Sequence, residues 1–284
     1  MTAASPAWRE SEPEQLDLFD GGGIASPPDP SPYPASAPAP PPAAMTDAAL
    51  IAAIPDATQS ACYALADEAA RRKLAAAVPA LESLCRRFKG FGLQHAIPEQ
   101  LAALQALAMI GGADAADALR RIIVDDVVAG PGLSEAVDAA AALRCVLPEP
   151  TAAALLCHPD PATRAHACRC TPRSGQTLAL LVSLLDDLNP GVATEAAKAL
   201  ARMGRSEGRP RLLRCLGQHP DAELLAAVAA IADDECTVLL GRVARAYPEL
   251  CEAALDALES IETPRAAAVL AALAAAGVAP GQTR

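Results

Sequence analysis

The chain has 284 residues, 52% of them hydrophobic and only 2% aromatic, with a formal net charge of −11 at pH 7. Alanine inflates the apolar fraction, and the longest apolar stretch (266–280) falls short of the about 20 residues a membrane-spanning helix needs, so composition does not indicate a membrane protein. The acidic balance argues against a surface built to meet phosphates.

The first element is a tail, residues 1–45, with six acids, one arginine and nine prolines between Pro27 and Pro42. That proline density excludes helix and favours a disordered, polyproline-like spacer. Within the tail, Gln15-Leu16-Asp17-Leu18-Phe19 places three large apolar residues where nothing local could bury them. Segments of this kind gain order by binding a partner. The five residues resemble the pentapeptide by which bacterial replication and repair proteins dock onto the DNA sliding clamp. By that resemblance Gln15 would hydrogen-bond in a polar subsite, and Leu18 and Phe19 would fill a hydrophobic cleft with Leu16 beside them. The sliding clamp is then an expected partner, and the spacer raises the local concentration of whatever follows it. Two other readings stay open: a latch packed on the body, and a tail preceding a start at Met45. No basic region followed by an apolar core opens the chain, so the expected location is cytoplasmic and the nine cysteines are expected to be reduced.

Residues 46–94 have a helical pattern and are expected to form an N-terminal cap. From residue 95 to 284 a repeat takes over. Apolar residues stand at i, i+4 and i+7 in the sets Leu133/Val137/Ala140, Thr163/Ala167/Cys170, Val192/Ala196/Ala199, Leu224/Val228/Ile231 and Leu250/Ala254/Ala257. Their first members lie 30, 29, 32 and 26 residues apart, and a sixth set, Ala103/Leu107/Ile110, begins 30 residues upstream. A period in this range marks stacked helical hairpins. In the clearest unit, Leu178, Leu180, Leu181, Leu184 and Leu185 form a first helix, Asn189-Pro190-Gly191 the turn, and a second helix runs from Val192 to Met203 before Gly204. Proline fits the first turn of a helix and glycine its left-handed end.

The run Asp187-Leu188-Asn189-Pro190-Gly191-Val192, followed by Ala196-Ala197-Lys198-Ala199-Leu200, resembles HEAT repeats, particularly the short bacterial type also found in bilin lyases. The resemblance covers roughly residues 95–276. It implies an all-α solenoid of about five to six hairpins behind the Pro-rich tail and says little about function; a protein partner in the solenoid groove is the expected use of such a surface.

Two further groups invite a chemical reading. Cys157, His158, His166, Cys168 and Cys170 have the residue types of a zinc site. Residues two apart on a helix face different ways, so Cys168 and Cys170 cannot chelate together, and no metal or other cofactor is expected. Arg202, Arg205, Arg209, Arg211 and Arg214 form a basic concentration that could meet an anion or an acidic partner, or be balanced by nearby acids such as Asp186, Asp187, Asp233, Asp234 and Glu235. Arg86, Arg87 and Lys89 form a smaller one. The body has few rings (Tyr63, Phe88, Phe91, Tyr247), which serves base stacking and bilin binding poorly, so no direct nucleic-acid contact is expected. There is no His-Glu dipeptide of the HEAT-fold iron hydroxylases, no Walker loop, no nucleophile elbow and no dinucleotide fingerprint. The expectation is a non-enzymatic protein–protein scaffold or adaptor, recruited to the sliding clamp through residues 15–19. The alternatives are a chromophore-lyase-like module or an adaptor unrelated to DNA.

Overall fold

A computed structural model describes residues 40–278. Residues 15–19, and with them Gln15, Leu16, Leu18 and Phe19, lie outside the described residues. The described chain is all-α: α1 Asp47–Ala53, α2 Cys62–Arg71, α3 Val78–Arg87, α4 Pro98–Ile110, α5 Gly112–Val124, α6 Pro131–Ala142, α7 Glu149–Leu156, α8 Pro161–Arg169, α9 Gly175–Ser183, α10 Pro190–Arg202, α11 Arg209–Gln218, α12 Ala222–Ala230, α13 Asp234–Ala246, α14 Cys251–Glu259 and α15 Pro264–Ala275. None of these helices is long and apolar enough to cross a membrane.

Local chemistry sets the boundaries. Pro98, Pro131, Pro161, Pro190 and Pro264 begin their helices, where a missing N–H breaks no bond. Asp160, Asn189, Asp221, Asp233 and Thr263 cap orphan amides with their side-chain oxygens. Ser174 and Thr177 exchange hydrogen bonds as a capping box at the start of α9. After α10 the chain reverses through Gly204 at φ +74°, with the Arg205 amide donating to the Leu200 carbonyl.

The even-numbered helices stack in one continuous row, α2 on α4, then α6, α8, α10, α12 and α14, and each is preceded in sequence by its hairpin partner. Five hairpins, α5/α6 to α13/α14, lie wholly beyond residue 95. Upstream, α2 stacks on α4 in the same way, and α1 and α3 pack on α2 and α4 as their hairpin partners. Gln100 fastens that junction: it is 1% exposed, and its amide donates to the Cys85, Phe88 and Val127 carbonyls.

The i, i+4, i+7 sets are the inward faces of α4, α6, α8, α10, α12 and α14. Val137, Ala140, Thr163, Ala167, Cys170, Val192, Ala196, Ala199, Leu224, Val228, Ala254 and Ala257 are buried. Alanine there lets second helices approach one another closely. Helix α10 serves both halves of the core, sending Ala196, Ala199 and Leu200 into the N-terminal cluster and Ala197 and Ala201 into the C-terminal one. At that joint Gly208 lies so close to Ala197 that a Cβ would meet its Cα and Cβ at 2.7 Å.

Candidate partner-binding face

One face of the even row carries a connected line of charged side chains. Asp138 on α6 lies 3.0 Å from His166 Nδ1 on α8 and 3.4 Å from Arg169 Nη1. The other guanidinium nitrogen of Arg169 is 3.5 Å from Glu223 on α12. Glu223 in turn lies 3.3 Å from Lys198 Nζ on α10, which also has Glu195 at 3.1 Å and Asp221 at 3.8 Å.

Lys198 is the anchor of this line. Its side chain is 8% exposed, so burial works against the ammonium, but Glu195 and then Asp221 and Glu223 overcome that penalty and raise its pKa. The three carboxylates thus favour its ammonium form. Glu195 Oε2 is buried without a hydrogen-bond partner, leaving an acceptor free beside the lysine.

The turns edging this face are tied to one another. Arg164, in α8, donates to the His158 and Pro159 carbonyls of the preceding turn and forms a bidentate pair with Asp187, at 2.9 and 3.0 Å, in the next. Asp187 holds the Asn189 amide at 2.8 Å, and the Arg164 guanidinium keeps its carboxyl below the ordinary carboxylate range. Neither Arg164 nor the Lys198 cluster stands out in the sequence, where each is a single cation among alanines. Their i, i+3 relation to a carboxylate (Glu195 and Lys198) was the one available signal.

The five arginines of the basic concentration are divided among local partners. Arg205 pairs with Glu207, and Arg209 with Asp233 at 2.8 Å and Glu235 at 2.5 Å. Arg211 donates to the Pro190 carbonyl at 2.5 Å and to Thr194 Oγ1 at 3.1 Å, which binds α11 to the start of α10. Arg202 and Arg214 are exposed and make no side-chain pair among the described residues. The smaller group is likewise occupied: Arg86 pairs with Glu82 and Asp125, and Arg87 donates to the Pro55 and Ala57 carbonyls.

The cysteine–histidine group is dispersed. Cys157 is exposed, His158 Nδ1 accepts the Asp160 amide, and His166 is committed to Asp138. Cys168 of α8 is buried, as is Cys170, which caps the end of that helix, so both thiols face the interior. Burial raises the pKa of each, that of Cys170 to about 12. Among the described residues no group of three or more His, Cys, Asp or Glu is placed to hold a metal ion.

Residues 148–232 match the family model described as HEAT repeats. No curated protein matches the chain in sequence. A solved structure, "The structure of the complex of CpcE and CpcF of phycocyanin lyase from Nostoc sp. PCC7120", contains a chain of similar fold, with a TM-score of 0.58 and 18% identity. The alignment covers 87% of this chain and 99% of that one. HEAT repeats are thus present, as the alanine-rich hairpins implied. The expectation of a non-enzymatic chain is overturned by the same comparison, because a fold found in a phycocyanin lyase complex gives no ground for excluding catalysis.

Proposed function

We propose that this protein is a protein-binding solenoid whose even-row face holds a partner, and that residues 15–19 recruit the assembly to the DNA sliding clamp. The observation that carries the first half is the charged line from Asp138 to Lys198. It links four successive second helices and fixes their polar groups in advance of binding. The second half is supported by the complete pentapeptide Gln15-Leu16-Asp17-Leu18-Phe19, joined to the solenoid by a proline-rich spacer.

The test is the affinity of the full chain for the sliding clamp of its host, beside the Leu18→Ala/Phe19→Ala variant. Micromolar binding that the double substitution abolishes is the expected result. Equal or absent binding by both forms refutes clamp recruitment and leaves the solenoid face to be tested with its own partner.

The fold likeness to a chain of the phycocyanin lyase complex favours a second reading, a module that handles a chromophore or the protein receiving it. A bilin titrated into the purified chain would then show a shifted visible band, and an unshifted spectrum would refute that reading.

A further inference from the structure

The chain carries a formal charge of −11, and most of its described guanidiniums have a carboxylate or a carbonyl as partner. Among the described residues nine arginines face a carboxylate: Arg71, Arg72, Arg86, Arg120, Arg121, Arg164, Arg169, Arg205 and Arg209. Three more, Arg87, Arg173 and Arg211, donate to backbone carbonyls. Of the six left without either, three surround one groove at the C-terminal end of the solenoid. These are Arg242 and Arg245 of α13 and Arg265 of α15, all exposed.

The groove holds about 280 Å³ and is floored by apolar side chains, with Val238 on one wall and Val269 on the other. At Gly241 a Cβ would meet Val269 Cγ1 at 2.6 Å, so the absent side chain sets how closely α13 and α15 pack beneath it. Arg242 and Arg245 are three residues apart on one helix, hence about 4.5 Å apart along its axis. The cations are therefore strung along a groove between two helices. That arrangement suits several carboxylates spaced along a chain better than a single phosphate. The lining contains no aromatic ring for a nucleobase to stack on.

We propose that the α13/α15 groove is a docking site for an acidic peptide segment of a partner protein, one that places aliphatic side chains over Val238 and Val269 and carboxylates against Arg242, Arg245 and Arg265. It lies on the odd-numbered helices, away from the even-row face, and does not depend on the function proposed above. The charge complementarity is specific: this is where an acidic protein keeps three cations without polar partners among the described residues.

The probe is a fluorescein-labelled peptide of alternating Glu and Leu, followed by anisotropy, with Glu/Ser and Lys/Leu peptides of the same length alongside. The full chain is expected to bind the Glu/Leu peptide and neither of the others. The variant R242Q/R245Q/R265Q should bind it at least about tenfold more weakly. Because the three side chains have no hydrogen-bond or ion-pair partner among the described residues, its thermal unfolding should match that of the parent chain. The proposal is overturned if the parent chain does not bind the Glu/Leu peptide, if the triple variant binds it within about twofold of the parent, or if the Glu/Ser peptide binds equally well. The last result would reduce the groove to a general anion patch.

Discussion

Arg169 on α8 lies 3.5 Å from Glu223 on α12, although α10 separates their helices in the row, and both side chains meet above the nearly buried Lys198. Three hairpins are thereby joined through polar atoms on the face proposed to hold a partner. Lys198 carries the balance of that cluster, since Glu195 is mostly buried at 20% exposure while Asp221 and Glu223 are 56% exposed. Lys198→Met should therefore cost about 2 kcal/mol, below the 3–5 expected when both members of a pair are fully buried, because two of the stranded carboxylates can recover water. Combining it with Glu195→Gln should restore part of the loss. A double-mutant cycle by urea denaturation measures the coupling, and strictly additive losses would show that the ammonium and Glu195 do not interact.

The Arg164–Asp187 pair is a stronger structural element. Its side chains are 17% and 7% exposed, and it joins the turn before α8 to the turn before α10. Arg164→Ala leaves Asp187 buried without its cation and frees two turn carbonyls, an expected loss of about 3 kcal/mol. Hydrogen exchange should quicken first in the turns at 157–160 and 186–190. Exchange that instead rises evenly along the chain would place the loss elsewhere.

Much of this fold was legible in the sequence because alanine, proline and glycine carry its geometry. The residue sets spaced by 26–32 positions are the buried faces of the second helices, and Pro190 and Gly204 bracket α10. The site was less legible, since it is made of contacts between hairpins. Residues 31 positions apart, such as Asp138 and Arg169, meet only once the stacking register is known. In the five-arginine concentration, Arg209 faces Asp233 and Glu235, two of the acids that the sequence offered as its balance, whereas the reach of Arg211 to the start of α10 needed the stacking register. Gln100, a polar residue on a helix with no distinct apolar stripe, gave no hint that it would be buried to join α3, α4 and the turn after α5.

Acid should unfold the protein through carboxylates that the fold keeps ionised. Glu68 accepts from Arg71 at 2.7 Å and from Arg72 at 2.6 Å, which lowers its pKa from 4.5 to about 2. Asp233 is held at about 2 chiefly by the Cys236 amide that it caps. A folded value below the unfolded one means stability that is complete above the unfolded pKa and lost as pH falls towards the folded one. Melting temperature should thus be level above about pH 5 and drop between about pH 4.5 and 2. Glu68→Gln should flatten part of that drop while lowering the plateau, and an unchanged slope would show that Glu68 is not held ionised by its arginines.

Three helices end through a left-handed residue that is not glycine: Lys73 after α2, Asp126 after α5 and Arg144 after α6, at φ +54°, +50° and +54°. Each makes the same reversal as Gly204, the following amide donating back to a carbonyl five residues earlier: Leu74 to Ala69, Val127 to Ile122 and Cys145 to Ala140. A Cβ in that conformation costs roughly 1 kcal/mol that glycine does not incur. Lys73 donates to the Met109 carbonyl and Asp126 follows a second acid, Asp125, but Arg144 is exposed and has no side-chain partner among the described residues. Arg144→Gly should therefore stabilise the protein by up to about 1 kcal/mol, even though glycine at an ordinary helix position would destabilise it. The companion Arg144→Ala keeps the Cβ and should leave stability within about 0.5 kcal/mol of the parent chain. Urea midpoints of the two variants decide the matter: a glycine variant no more stable than the alanine one would show that the left-handed turn stores no strain.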